Sequence, residues 1–322
     1  MLQLLYLPVL ILLLLFYFRL AIQFKIIDKP NQRSSHSRIT IRGGGIIFPI
    51  ALLLQALFSR FEYPLFTLGL LLISLVSFYD DLRPLSNKIR LLVHLLAVSL
   101  LFMQAGLMAY PFWMIIPVYI LVIGAINAYN FMDGINGITA AYSLITVLSL
   151  YFINETHISF ALSEWLIVAA LSLLVFNFFN FRKKAICFAG DVGSVSMAFI
   201  IIFFILLLII KSGDLKYIGL LLIYGLDTVT TIVFRLIRRE NIFEAHRSHF
   251  YQYLANRKGW PHLWVSVLYM VVQLLVNVLI ISSDLSSVPF LIFILVSGIV
   301  FVGLRFVVEG QRSLLGRRLA NR

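Results

Sequence analysis

Charge is scarce in this chain: 12% of its 322 residues are charged, against 61% hydrophobic, and mean hydropathy is +0.99. That balance excludes a water-soluble domain, whose surface needs far more charge. There is a single cysteine, Cys187, which excludes an intramolecular disulfide framework. No hydrophilic stretch is long enough to fold on its own, and there is no internal repeat or low-complexity segment. The apolar runs do not alternate with polar residues, which argues against a barrel. They are continuous and roughly as long as a bilayer requires, so helices are expected. The first run, Leu2 to Leu20, lacks a basic leading segment and a small-residue cleavage site, and reads as a retained span.

The expected fold is therefore all-α, a polytopic membrane protein read as one integral membrane domain over residues 1–322. Eleven spans are predicted, at about 2–23, 43–58, 63–79, 91–108, 110–127, 138–153, 163–180, 193–211, 216–233, 263–282 and 288–308. Of these, 43–58 and 138–153 are open to being broken or interfacial. The connections 24–42, 80–90, 128–137, 181–192 and 234–262, with the tail and Arg305 at its edge, hold 22 of the 26 Lys and Arg. The positive-inside rule puts them in the cytoplasm, with the N-terminus outside and the C-terminus inside. Asp28, Asp80, Asp81, Asp133, Asp191, Glu240, Glu244, His246 and His249 fall on the same side. A transporter or flippase should carry polar groups near the midplane. Here His94 and Asp227 are the main exceptions in nearly uncharged spans, which favours a reaction at the inner face.

Four polar stretches share that face. In Phe78 to Arg90, the adjacent carboxylates Asp80 and Asp81 call for a neutralising cation. Ser86 is a good N-cap, placing Lys88 and Arg90 in the first turn of the next helix, where cations make sense if an anion binds there. The alternative is an interfacial loop with ordinary charges. Asn127 to Gly137 has no Lys or Arg and carries Asn127, Asn130, Asp133 and Asn136. Carboxylate and amide oxygens suit a hard cation such as Mg²⁺, and the competing reading is an Asx-rich turn. In Phe188 to Ser194, glycines flank Asp191, and Ser194 can cap the helix behind it. Phe188 can stack on a base or anchor at the interface. In Glu244 to Tyr253, His246 and His249 share a face if helical. With Arg247 they are placed to contact a diphosphate, and no zinc spacing is present. The Lys29, Arg33, Arg38 and Arg42 cluster before Gly43-Gly44-Gly45 reads better as a lipid anchor than as a phosphate site. Asp227 is either functional or an inward structural hydrogen-bond acceptor.

Together these stretches, from roughly Lys29 to Tyr253, resemble the polyprenyl-phosphate N-acetylhexosamine-1-phosphate transferases (glycosyltransferase family 4) in order and sidedness. The aspartate-pair motif is met by Asp80, Asp81, Ser86, Lys88 and Arg90. Asn127, Asn130, Asp133 and Gly134 meet the second motif, and Phe188, Gly190, Asp191, Gly193 and Ser194 the third. Departures are Asn136 where a second Asp is frequent, Ile39 and Ile41 where prolines are common, and Tyr251 and Gln252 where histidines follow His249. The last departure argues against the muramoyl-pentapeptide branch.

The resemblance implies transfer of a sugar-1-phosphate from a UDP-N-acetylamino sugar to undecaprenyl phosphate, releasing UMP, at the cytoplasmic face of a bacterial inner membrane. It implies Mg²⁺, with Mn²⁺ as a substitute, held by Asp191 with Asp81. Asp80 would be base or nucleophile, Asp81 would support the metal or orient Asp80, and Asp133 and His249 complete the catalytic set. Lys88, Arg90, Asn127, Asn130, Phe188, His246 and Arg247 would bind substrate. Membrane lipid is the other expected contact, a homodimer is left open, and no nucleic-acid partner is expected. A CDP-alcohol phosphotransferase is disfavoured, because Ala-Arg and two further Asp do not follow Asp133-Gly134.

Overall fold

A computed structural model describes residues 2–28, 39–242, 244 and 246–316. The first-loop cations Lys29, Arg33 and Arg38 lie outside the described residues. The chain runs α1 (Tyr6–Gln23), a short antiparallel pair β1 (Ile27–Asp28) and β2 (Thr40–Ile41), α2 (Ile47–Phe58), α3 (Pro64–Leu82), α4 (Asn87–Ala105) and α5 (Phe112–Met132). It continues through α6 (Ile138–Thr156), α7 (Ser163–Asn180), α8 (Gly190–Ser212) and α9 (Leu222–Ile237). A single turn α10 (Phe250–Gln252), α11 (His262–Ser282), α12 (Ser287–Glu309) and a short α13 (Gln311–Leu315) complete it.

Among the described residues, 10 helices are long and apolar enough to cross a membrane, and this is a multi-pass membrane protein. The eleventh predicted span, 43–58, is shorter: a 3-10 turn at Gly44–Ile46 leads into α2. It still reverses the chain, because Arg42 before it and Asp81 at the end of α3 meet at the same end of the bundle. The span predicted at 138–153 is an unbroken helix. Its polar residues Thr139, Ser143, Thr146 and Ser149 are buried against other helices rather than exposed to lipid.

Helix α8 is the centre of the bundle, buried along most of its length against α2, α3, α5 and α6. Phe66 of α3 stacks on Phe203 of α8 with ring centroids 4.1 Å apart, and Ser74 and Ser196 share a hydrogen bond at 2.9 Å. At the start of α8 the packing is closer still. A Cβ on Gly193 would sit 2.7 Å from Cα of Gly45, so only glycines let these backbones meet. Before α9 the chain is 3-10 from Leu215 to Leu221, which leaves backbone groups unsatisfied inside the bundle. Gln273 of α11 resolves this: its amide donates to Gly219 O at 2.9 Å, and its oxygen accepts from Ile223 N at 3.0 Å. Irregular backbone at membrane depth survives only when protein supplies such partners.

Several helices extend beyond their predicted ends. Asp80 and Asp81 lie in the last turn of α3, Asn127 and Asn130 are helical in α5, and Asp191 opens α8. Hydropathy ends a span at its first charges. Here the helices continue because each charge finds a partner within the fold.

Candidate active site

Asp81 is the hub. Its side chain is fully buried, and its Oδ1 accepts from Arg42 Nε at 2.7 Å and from the backbone N–H of Asp191 at 3.0 Å. Oδ2 accepts from Val192 N at 3.0 Å. Asp81 thus caps the N-terminus of α8 from outside that helix, where a negative charge is favoured. Gly190 makes the approach possible: its φ is +72°, and a Cβ there would meet Asp81 Oδ2. Arg42 is held in place by a backbone zipper in which Phe188 N donates to Ile41 O and Gly44 N donates to Phe188 O, both at 2.8 Å. Burial alone would lower the Arg42 pKa, but Asp81 and Asp191 more than offset it and raise it. Arg42 is therefore a site residue, not the lipid anchor expected from the sequence.

Beside this joint, Asp80 accepts from Arg90 Nη1 at 2.9 Å and from Leu85 N. Ser86 caps α4 as predicted, accepting from Ile89 N at 3.4 Å, so Lys88 and Arg90 stand in the first turn. Lys88 is exposed at the rim. The Asp191 carboxyl lies against that of Asp80, with Arg42 and Arg90 each at 3.9 Å. Side-chain exposure is 0% for Asp81, 9% for Asp80 and 22% for Asp191, so Asp191 is the carboxylate that faces outward.

The end of α5 forms another wall. Asn127 donates back to Ile123 O at 2.9 Å within its own helix. Asn130 Oδ1 accepts from Ser194 Oγ at 2.9 Å, tying α5 to α8; Ser194 is inside α8 rather than capping it. Asp133 follows the last turn, and its carboxyl is pushed up to about 6, chiefly by burial and further by Asp81. Asn136 is buried and donates to the carbonyls of Arg182 at 2.8 Å and Lys183 at 3.4 Å. A carboxylate would face those carbonyls with no proton to give, which accounts for an amide at this position.

The histidine loop packs against the end of α5. His246 is in irregular chain and His249 is the residue before α10, so helical spacing does not bring them together. Their rings stack nonetheless, with centroids 5.0 Å apart, and lie 6.2 and 6.3 Å from the Phe131 ring. Asp227 holds this loop. It is fully buried and accepts from Phe250 N at 2.9 Å, Tyr251 N at 3.2 Å and Tyr269 Oη at 2.6 Å, with His249 Nδ1 at 3.3 Å. The structural alternative for Asp227 is the one realised. With Nδ1 engaged, His249 presents Nε2, which is buried and has no partner among the described residues. Burial, assisted by His249, lowers His246 to about 4, so its ring is neutral near pH 7. Tyr251 is fully buried and donates to Phe131 O at 2.9 Å, bracing the Asp133-Gly134 turn from behind. Arg247 lines a separate cavity with Arg238, Arg257 and Arg312, which the two histidines do not line. The half-buried Phe188, whose backbone forms the Arg42 zipper, precedes Asp191 by three residues.

Among the described residues no three His, Cys, Asp or Glu are arranged as a ready-made metal cage. That suits Mg²⁺, which takes one or two carboxylates and fills its shell with water and substrate phosphate. Asp191, whose carboxylate has arginines only at 3.9 Å, fits such an ion, and Asp80 lies against it while pairing with Arg90 at 2.9 Å. Asp81 is the poorer ligand, because its side chain is fully buried behind Arg42 and the α8 amides.

Fold and site define an integral membrane protein with a carboxylate–arginine cleft at one end of its helices, a setting for phosphate chemistry at a membrane surface. Residues 63–209 match the model of glycosyl transferase family 4. It is 27% identical over 301 residues to the "Probable undecaprenyl-phosphate N-acetylglucosaminyl 1-phosphate transferase" of Bacillus subtilis, covering 86% of this chain and 84% of the relative. It is 29% identical to the undecaprenyl-phosphate alpha-N-acetylglucosaminyl 1-phosphate transferase of Thermotoga maritima, covering 75% and 77%. It is also 27% identical to a phospho-N-acetylmuramoyl-pentapeptide-transferase of Halalkalibacterium halodurans, covering 75% and 82%.

Proposed function

We propose that this chain transfers a sugar-1-phosphate from a UDP-N-acetylamino sugar to undecaprenyl phosphate, releasing UMP, at the cytoplasmic face of the bacterial inner membrane. One observation carries this reading beyond the similarity to known transferases: Asp80, Asp81, Asp191, Arg42 and Arg90 converge from four segments into one cluster at the end of the helices. The donor is soluble and the acceptor is a lipid, so the two meet only at such an end. Basic connections on that side put it in the cytoplasm.

In this proposal Asp191, supported by Asp80, holds Mg²⁺, with Mn²⁺ as a substitute. When bound, the ion offsets charge on the donor diphosphate. Arg42 and Arg90 remain beside that position and hold phosphate oxygens, with Lys88 drawing anions to the rim. Asp80 takes the remaining proton of the acceptor phosphate. The acceptor oxygen attacks the phosphorus bearing the sugar, the bond to the UMP oxygen breaks, and UMP leaves with the pair. The sugar C1–O bond is untouched, so the anomeric configuration is retained. His249 Nε2 and the neutral His246 ring face the donor, and Phe188 stacks on the uracil.

Purified protein given undecaprenyl phosphate, Mg²⁺ and a panel of UDP-amino sugars should release UMP only with the lipid present, and EDTA should stop it. UMP-free reactions across the panel from folded protein would reject the proposal. The best donor in the panel names the sugar.

A further inference from the structure

The cavity lined by Arg247 shares no lining residue with the carboxylate site. Its volume is about 330 Å³, and its walls include Arg238, Arg247, Tyr253, Arg257, Glu309 and Arg312. The carboxylates on these walls are already engaged. Glu240 pairs with Arg235 at 3.1 Å and with Arg238, and Glu309 pairs with Arg305. Arg238 spends further donors on the carbonyls of Ser313 at 3.3 Å and Leu314 at 3.1 Å. Arg247, Arg257 and Arg312 have no carboxylate partner among the described residues. The most telling group is Arg247, whose Nε and Nη2 are buried and make no hydrogen bond among the described residues. Cationic donors removed from water without an acceptor are costly, so this pocket is built for an anion with several oxygens.

Its position narrows the anion. The cavity lies where α9 and α12 end and α13 begins, at the same end of the bundle as the carboxylate site, the end at which membrane-spanning helices meet headgroup phosphates. Ser248, also on its wall, has its carbonyl held by Arg305 Nη2 at 2.9 Å. We propose that this cavity is a second phosphate site, separate from the carboxylate cleft, and that its occupant braces the loop carrying His246 and His249. The ligand is a phosphate group, supplied either by an anionic membrane lipid or by free phosphate. The site stands on the cavity and its arginines, whatever reaction the cleft performs.

The test uses the full chain in phosphatidylcholine nanodiscs. Phosphatidylglycerol is added in one arm, read by lipids retained in native mass spectrometry; inorganic phosphate is added in the other, read by thermal shift. The exposed arginines are changed together, Arg257→Ala with Arg312→Ala, and Arg312→Gln is made alone in case the pair fails to fold. If the occupant is lipid, wild type retains phosphatidylglycerol and the variants lose it by about tenfold, the expected effect of losing one or two charged contacts. If the occupant is free phosphate, the ion raises the melting temperature of wild type but not of the variants. Binding of both probes unchanged by either variant overturns the proposal.

Discussion

The charges at the site are paired across the fold, and this makes individual side chains predictable. Asp133 titrates at about 6, above its ordinary 3.8, because burial disfavours the carboxylate. A raised carboxyl favours the folded state below its ordinary value, and that advantage is lost as pH rises through about 6. Turnover that needs the ionised form runs the other way. UMP release should fall as pH drops through about 6, and an acid limb centred near 4 would exclude Asp133. Arg42 is the partner of a fully buried carboxylate, so Arg42→Ala should cost about 2 kcal/mol of stability, seen as a lower melting temperature in detergent. Arg42→Lys, which keeps the charge but loses the Nε donor, should fall between. Much of this site was legible in the sequence: Asp80, Asp81, Asp133, Asp191 and Arg90 were identifiable as polar groups at span ends. The tasks of Arg42 and Asp81 were not, because they rest on contacts 39, 110 and 111 residues apart that no local pattern encodes.

At the scale of helices, hydropathy located every span but misplaced several ends, since apolarity says nothing of a charge neutralised by a distant segment. The segment 138–153 was open to being broken, yet α6 is continuous, because a helix buried by protein need not be apolar throughout. The contact that fixes the cleft is the glycine crossing at the start of α8. Gly193→Ala would put a methyl 2.7 Å from Gly45 Cα and 2.8 Å from Ala189 Cβ, with backbone on one side and no room to yield. Destabilisation of about 1–3 kcal/mol is expected, with loss of activity as Asp191 is displaced. Gly124→Ala in α5, where nothing lies within 4 Å of the new methyl, is the matched control and should be neutral in the same thermal assay.

For the whole molecule, the meeting of Arg42, Asp81, Asp133, Asp191 and the histidine loop at one end agrees with the sidedness read from Lys and Arg. Cys187 is fully buried, and burial raises its thiol pKa, so the native chain should be silent to maleimides. Glu155→Cys should then label with an impermeant maleimide on intact cells, and Lys183→Cys only after permeabilisation; the reverse pattern would invert the topology. The Asp81 joint also has a consequence for biogenesis. Its α8 amides are synthesised 110 residues after the carboxylate they bind. A nascent chain carrying α1 to α7 therefore has its charged α3 end waiting at the water boundary without those partners. Only when α8 inserts can that end move inward, so the cleft is completed by the arrival of the eighth helix.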